Sequence, residues 1–181
     1  MSPEELIGLG FPKELVVLII SALPIIELRG AIPVAIHTFD MSWQSAFILA
    51  FIGNIIPVPI ILVFLKKVDA WFNRFPRIRQ WLDWLYKRTR NRSAIVEKYK
   101  RIGLVLFVAI PLPVTGAWTG SIVAVLLGIK FWHALLAISA GVFIAGVIVT
   151  ILSIIGWVGA LIAGLALAGL AIFGFWHMPD K

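Results

Sequence analysis

Apolar residues along this chain fall in unbroken blocks. They do not follow the alternating or one-faced patterns of a soluble domain. Five blocks stand out: Leu15–Ile26, Phe47–Leu65, Ile102–Pro113, Phe131–Ile155 and Trp157–Trp176. A run of about 18 or more residues almost without charge is long enough to cross a bilayer as a helix, and the second, fourth and fifth blocks meet that test. The first and third blocks are shorter. At about 1.5 Å per residue each reaches roughly 18 Å, against about 30 Å of hydrocarbon.

Directly after the first short block comes Glu27-Leu28-Arg29-Gly30-Ala31-Ile32-Pro33, two charges bracketed by Pro24, Gly30 and Pro33. A central charge facing lipid costs about 2.5–3.5 kcal/mol on insertion scales. A kinked full span to Phe39 is one solution. The other is a re-entrant hairpin over 15–40, whose tip is buried in protein or lines a wet cavity. The second half repeats the order. Shifted by 89 residues, Leu15 falls on Leu104, Val16 on Val105, Pro24 on Pro113, Val34 on Val123, Ala35 on Ala124 and Trp43 on Trp132, without a gap. Short arm, Pro/Gly break, short arm, Trp and long helix recur, and interrupted segments at matching places in two halves point to a transporter repeat and its binding site.

The expected fold is therefore an all-α integral membrane protein built as an inverted repeat, with two re-entrant helical hairpins, long transmembrane helices and an interfacial amphipathic helix. Residues 1–181 form one membrane domain. Repeat 1 covers about 14–66 and repeat 2 about 102–155, with its hairpin over 102–129. A basic loop over 67–101 separates them, and a packing helix over 157–177 follows, where Ala160, Gly164 and Ala168 give a small-residue face.

Charge orients this scheme. Twelve of the 16 Lys and Arg lie between Lys66 and Arg101. The positive-inside rule keeps such a short loop cytoplasmic. Hairpin topology then puts the N-terminus outside and the C-terminus in the cytoplasm, with the protein in the cell membrane. Ile78, Trp81, Leu82 and Leu85 share one helical face flanked by Arg77, Arg79, Lys87 and Arg88, which predicts a surface helix on anionic lipid or, more plainly, an aromatic topology anchor. Nucleic-acid binding is the disfavoured reading of this patch. The acidic start, Met-Ser-Pro-Glu-Glu, is not that of a secretory signal. No cysteine is present, and the three histidines are scattered, so no metal site, cofactor or catalytic constellation is expected and the chain does not read as an enzyme.

The chain resembles the small multidrug export proteins, within the wider DedA/VTT superfamily. The carrying residues are Glu27 to Pro33 and Pro111-Leu112-Pro113-Val114-Thr115-Gly116-Ala117-Trp118-Thr119-Gly120, and the likeness covers roughly 14–155. It implies facing re-entrant hairpins and, from DedA and VTT relatives, movement of polyprenyl-phosphate carrier lipids or scrambling of phospholipids. DedA members carry acidic and Arg residues in both hairpins. Here the second hairpin has neither.

Candidate substrate-binding residues follow from the chemistry. Arg29 offers a planar donor fork suited to a lipid phosphate, and Glu27 beside it is a possible proton carrier. The plainer alternative is a structural pair, or Arg29 bonded to hairpin carbonyls. Thr115, Trp118, Thr119 and Ser121 add polar groups at the second break, or bond their own helix carbonyls. Pro24, Gly30, Pro33, Pro111, Pro113 and Gly116 are the expected hairpin breaks. Asn54, ahead of Pro57 and Pro59, lines the same cavity or bonds a carbonyl freed by Pro57. The leading expectation is a transporter or scramblase of an anionic lipid, with membrane lipids as partners, protons as a possible coupling ion and homo-oligomers possible. The alternatives are a proton-coupled exporter of small hydrophobic cations and a non-transporting scaffold.

Overall fold

The computed structural model describes residues 10–72, 94–111 and 115–156. Among them are seven helices and no strand: α1 (Lys13–Ala22), α2 (Glu27–His37), α3 (Trp43–Ile55), α4 (Pro57–Phe72), α5 (Ala94–Ala109), α6 (Ala117–Leu126) and α7 (Phe131–Ile154).

Pro24 makes the first break. A proline pushes the residue before it out of helical geometry. Leu23 accordingly adopts φ −73° and ψ 141°, and α1 stops there. Gly30 and Pro33, expected in the break, instead lie inside α2. Pro33 forfeits one backbone bond, and the burial of Leu28, Ala31, Ile32 and Ala35 on either side holds the helix through it. Gly30 has its own reason: a Cβ there would run into the side chain of Ile26, where the chain turns into α2. In the second half, Pro111 and Gly116 fall in the break between α5 and α6. Pro113 lies outside the described residues.

The first helix pair returns to the end from which it started, and in the second α6 returns to the level of Lys100, within α5. The Lys13 ammonium, at the start of α1, donates to the Phe39 carbonyl just past α2, at 3.4 Å. The Lys100 ammonium on α5 donates to the Leu127 carbonyl just past α6, at 3.2 Å. α1 packs on α3, α2 on α3 and α7, α5 on α7 and α6 on α4. α1, α2 and α6 have only 10, 11 and 10 residues, roughly 15–17 Å of helix.

The long elements are Trp43–Val68, with a mean hydropathy of 2.6, and Phe131–Ile154, with 2.7. The first runs through α3 and into α4. Pro57 costs it a bond, but Ile56 stays helical at φ −49° and ψ −47°, so the direction carries on. α4 ends at Phe72 and α5 starts at Ala94, so helix invades both ends of the 67–101 segment expected as loop. Lysine is a good helix former, and nothing requires a helix to stop where the hydrocarbon does. The expected amphipathic helix with Arg77, Arg79, Lys87 and Arg88, and the packing helix over 157–177, lie outside the described residues.

The interior is rich in small residues. Ala31, Ala35, Ala46, Ala50, Ala117, Ala124, Ala134, Ala137 and Ala145 are buried. Small residues let helix backbones approach closely, which is how packing holds together where lipid is as apolar as the core. A Cβ on Gly53 of α3 would meet the Leu18 carbonyl at 2.5 Å, and one on Gly141 of α7 would meet the Val105 carbonyl at 2.8 Å. The outside is as greasy as the inside. α7 buries Ile138, Val142 and Val149, and on its other side exposes Leu136, Phe143, Ile144, Val147 and Ile151. A helix apolar all round belongs in a membrane or a large core, and among the described residues that side of α7 is largely uncovered. Edge-on contacts of Phe143 with Phe47 and Phe51, at 5.5 and 6.2 Å between ring centres, tie α7 to α3.

Candidate functional site

The breaks of the two helix pairs meet, and two charged residues, Glu27 and Arg29, lie where they touch. Glu27 opens α2 with φ +51°, a left-handed conformation that costs a non-glycine residue about 1–2 kcal/mol. Its side chain is buried. The carboxylate lies at the start of α6, where it accepts from the backbone N–H of Trp118 at 3.5 Å and from that of Ala117. The first N–H groups of a helix have no partner within it and carry the positive end of its dipole, so a carboxylate there serves as a cap. Gly116 makes room for it. A Cβ at 116 would stand 2.5 Å from Glu27 Oε1 and 2.6 Å from Cδ.

Arg29, two residues along α2, reaches the same break. Its Nη2 donates to the Thr115 carbonyl oxygen and, at 3.1 Å, to the Thr115 hydroxyl. The same nitrogen is 3.9 Å from Glu27 Oε2, the long end of ion pairing. The Thr115 hydroxyl donates in turn to the Ile110 carbonyl at 2.8 Å, closing the second break on itself. Trp118 works in the opposite direction: its indole N–H donates to the Ala22 carbonyl at the end of α1, at 3.1 Å. Each tip thus carries a side chain that binds the backbone of the other.

Of the residues expected to form the site, Glu27, Arg29, Thr115 and Trp118 are brought together. Thr119 and Ser121 are not: their hydroxyls donate to the Gly116 and Ala117 carbonyls of their own helix start, at 3.4 and 2.7 Å. A hydroxyl on a helix facing an apolar neighbour satisfies itself this way. Asn54 is buried in α3, and among the described residues neither its amide nitrogen nor its oxygen has a hydrogen-bond partner, so the carbonyl freed by Pro57 is not its acceptor. Sequence reasoning missed the Ala22 carbonyl, the α6 amides and the place of Gly116 as the seat of a carboxylate. It also missed His37, whose Nε2 is 2.9 Å from the Ser153 carbonyl and joins the far end of α2 to the far end of α7.

Residues 27–148 match the family described as "putative small multi-drug export protein". The match begins at Glu27, just past the first break, and takes in the second break and most of α7. The chain belongs to this family. No curated protein and no solved structure matches it. The family's description names export, a coarse transport role, and the apolar surface and two helices long enough to span a bilayer support a membrane protein.

Proposed function

We propose that the protein is a transporter whose substrate passes the junction of the two tips, and that the substrate is an anionic, phosphate-bearing lipid. The observation that carries the substrate assignment is which charge is open. The Arg29 side chain is 20% exposed and that of Glu27 is 7%. The guanidinium already grips oxygens of Thr115, and phosphate oxygens suit the same donor fork. A head group would take over those donors from Thr115 and so release one tip from the other. Glu27, held by the α6 amides, is the neighbouring group able to exchange a proton.

The repeat supports this reading. Moved by 89 residues, α2 (27–37) falls on 116–126, against 117–126 for α6, and the start of α3 at 43 falls on 132, against 131 for α7. The pairings correspond as well: α1 with α3 matches α5 with α7, and α2 with α7 matches α6 with α4. In this scheme the two hairpins are re-entrant and enter from opposite faces, as in the DedA/VTT arrangement. The N-terminus is outside and the basic loop is in the cytoplasm.

A second reading, export of small lipophilic cations, has the family's description in its favour. Glu27 would then bind the cation after Arg29 swings away. Purified protein in vesicles separates the two, with flip of tail-labelled phosphatidylglycerol measured beside efflux of ethidium. On the lipid reading Arg29→Met folds and loses lipid flip, and Arg29→Lys keeps part of it because the charge stays and the fork goes. A folded Arg29→Met with normal lipid flip removes the lipid assignment. Ethidium efflux that survives Arg29→Met and is lost in Glu27→Gln establishes the cation reading instead.

A further inference from the structure

Asn54 has no evident work in the fold. It is 1% exposed, and among the described residues neither its amide nitrogen nor its oxygen has a partner. A buried polar group left in this way costs stability, and such breaches gather at functional sites. The Ser21 hydroxyl, on the helix that α3 touches, is already committed to the Leu18 carbonyl at 3.0 Å. Pro57 brings no N–H to the Gly53 carbonyl, so the residue before Asn54 lacks its usual intrahelical donor as well.

The position is beside the tip junction. Ala50, Asn54, Val58 and Leu62 are four residues apart and all buried, so they form one inward row along α3 and α4. α3 packs on α1, α2 and α7, and α4 packs on α6. Asn54 falls at the step from one set of neighbours to the other, and the junction is built from the ends of α1, α2 and α6. Gly53 gives the closest link. A Cβ on it would meet the Ser21 hydroxyl, and Ala22, next in sequence to Ser21, accepts from the Trp118 indole N–H.

We propose that Asn54 selects the substrate's head group by pairing with a hydroxyl carried beside the phosphate. The inference rests on the lipid reading above and narrows it to lipids with a hydroxyl-bearing head group. A carboxamide sets an acceptor beside two donors. A cation would satisfy its oxygen and leave its nitrogen unpaired, and a phosphate would do the reverse. A hydroxyl donates to the oxygen and accepts from the nitrogen. The experiment uses the full chain in vesicles with two tail-labelled lipids of equal charge. Phosphatidylglycerol carries hydroxyls, and phosphatidylethanol has the same phosphodiester without one. Wild-type protein should flip phosphatidylglycerol about tenfold faster, since a site made for a hydroxyl disfavours the analogue that lacks it. Asn54→Leu should bring that ratio close to one without a fall in unfolding temperature, and Asn54→Ala serves if Asn54→Leu does not fold. Arg29→Met should slow both lipids alike, so the ratio reports on Asn54 and the absolute rates report on the phosphate contact. Flip of neither lipid by wild-type protein overturns the lipid reading and this inference with it. Flip of both without preference, or a preference kept in Asn54→Leu and Asn54→Ala, overturns this inference alone. So does a fall in unfolding temperature with both lipids slowed equally, which marks Asn54 as a structural residue.

Discussion

Replacing Gly116 with alanine tests the tip junction by its tightest contact. The new Cβ would lie 2.6 Å from Glu27 Cδ and 2.5 Å from Oε1. Glu27 has little room to retreat, since it is buried and its own φ is already +51°. The carboxylate must therefore leave the α6 amides. Overpacking costs about 1–3 kcal/mol, and loss of a helix cap about 0.5–2 kcal/mol. Together they amount to roughly 2–4 kcal/mol. At about 2–4 °C per kcal/mol for a chain of this size, thermal unfolding of the purified protein should fall by roughly 4–15 °C. The same change made on top of Glu27→Ala meets no carboxylate, so the cycle should show a coupling of about 1–3 kcal/mol. Equal shifts in the two backgrounds would mean that Glu27 does not occupy the space beside Gly116, and the geometry of the junction would have to be abandoned.

Asn54 gives a test of the opposite sign: replacing an unpartnered buried amide with an apolar group of similar size removes a desolvation penalty of about 1–3 kcal/mol. Asn54→Leu should therefore leave the unfolding temperature unchanged or raise it, and a clear fall would show that the amide has a partner, such as a bound water. Orientation is checked in intact cells with an impermeant thiol reagent, where Ser2→Cys should label from outside and Ser93→Cys should not. The reverse pattern would invert the proposed topology.

The parts of this fold that could be read in advance are those set by neighbours in sequence. Leu23-Pro24 stops α1 because proline constrains the residue before it. The apolar runs gave the two long helices because length and hydropathy are local properties. Gly30 and Pro33 misled, since packing of Leu28, Ala31, Ile32 and Ala35 carries α2 through both. The site was half legible. Two charges in an apolar run announce themselves, but their partners lie 86 and 91 residues away, at Thr115 and Trp118. No periodicity reaches across that distance. Thr119 and Ser121 looked like site residues by composition and turned inward to their own helix, a choice between two acceptors that only the packing makes.

The junction also accounts for an asymmetry that the sequence left unexplained. The second break carries neither an acid nor an arginine, although the two halves otherwise run in parallel. At the offset of 89 residues Glu27 corresponds to Gly116 and Arg29 to Trp118. The first two of these meet. Glu27 fills the space in front of Gly116, so a side chain at 116 would collide with it, and an acid there would bring two carboxylates together in a buried site. Like charges at such a distance disfavour joint ionisation. Trp118 and Arg29 each bind backbone of the opposite tip, the one at Ala22 and the other at Thr115. If the halves are the proposed repeat, they differ in charge because a single junction has room for one carboxylate and its cation.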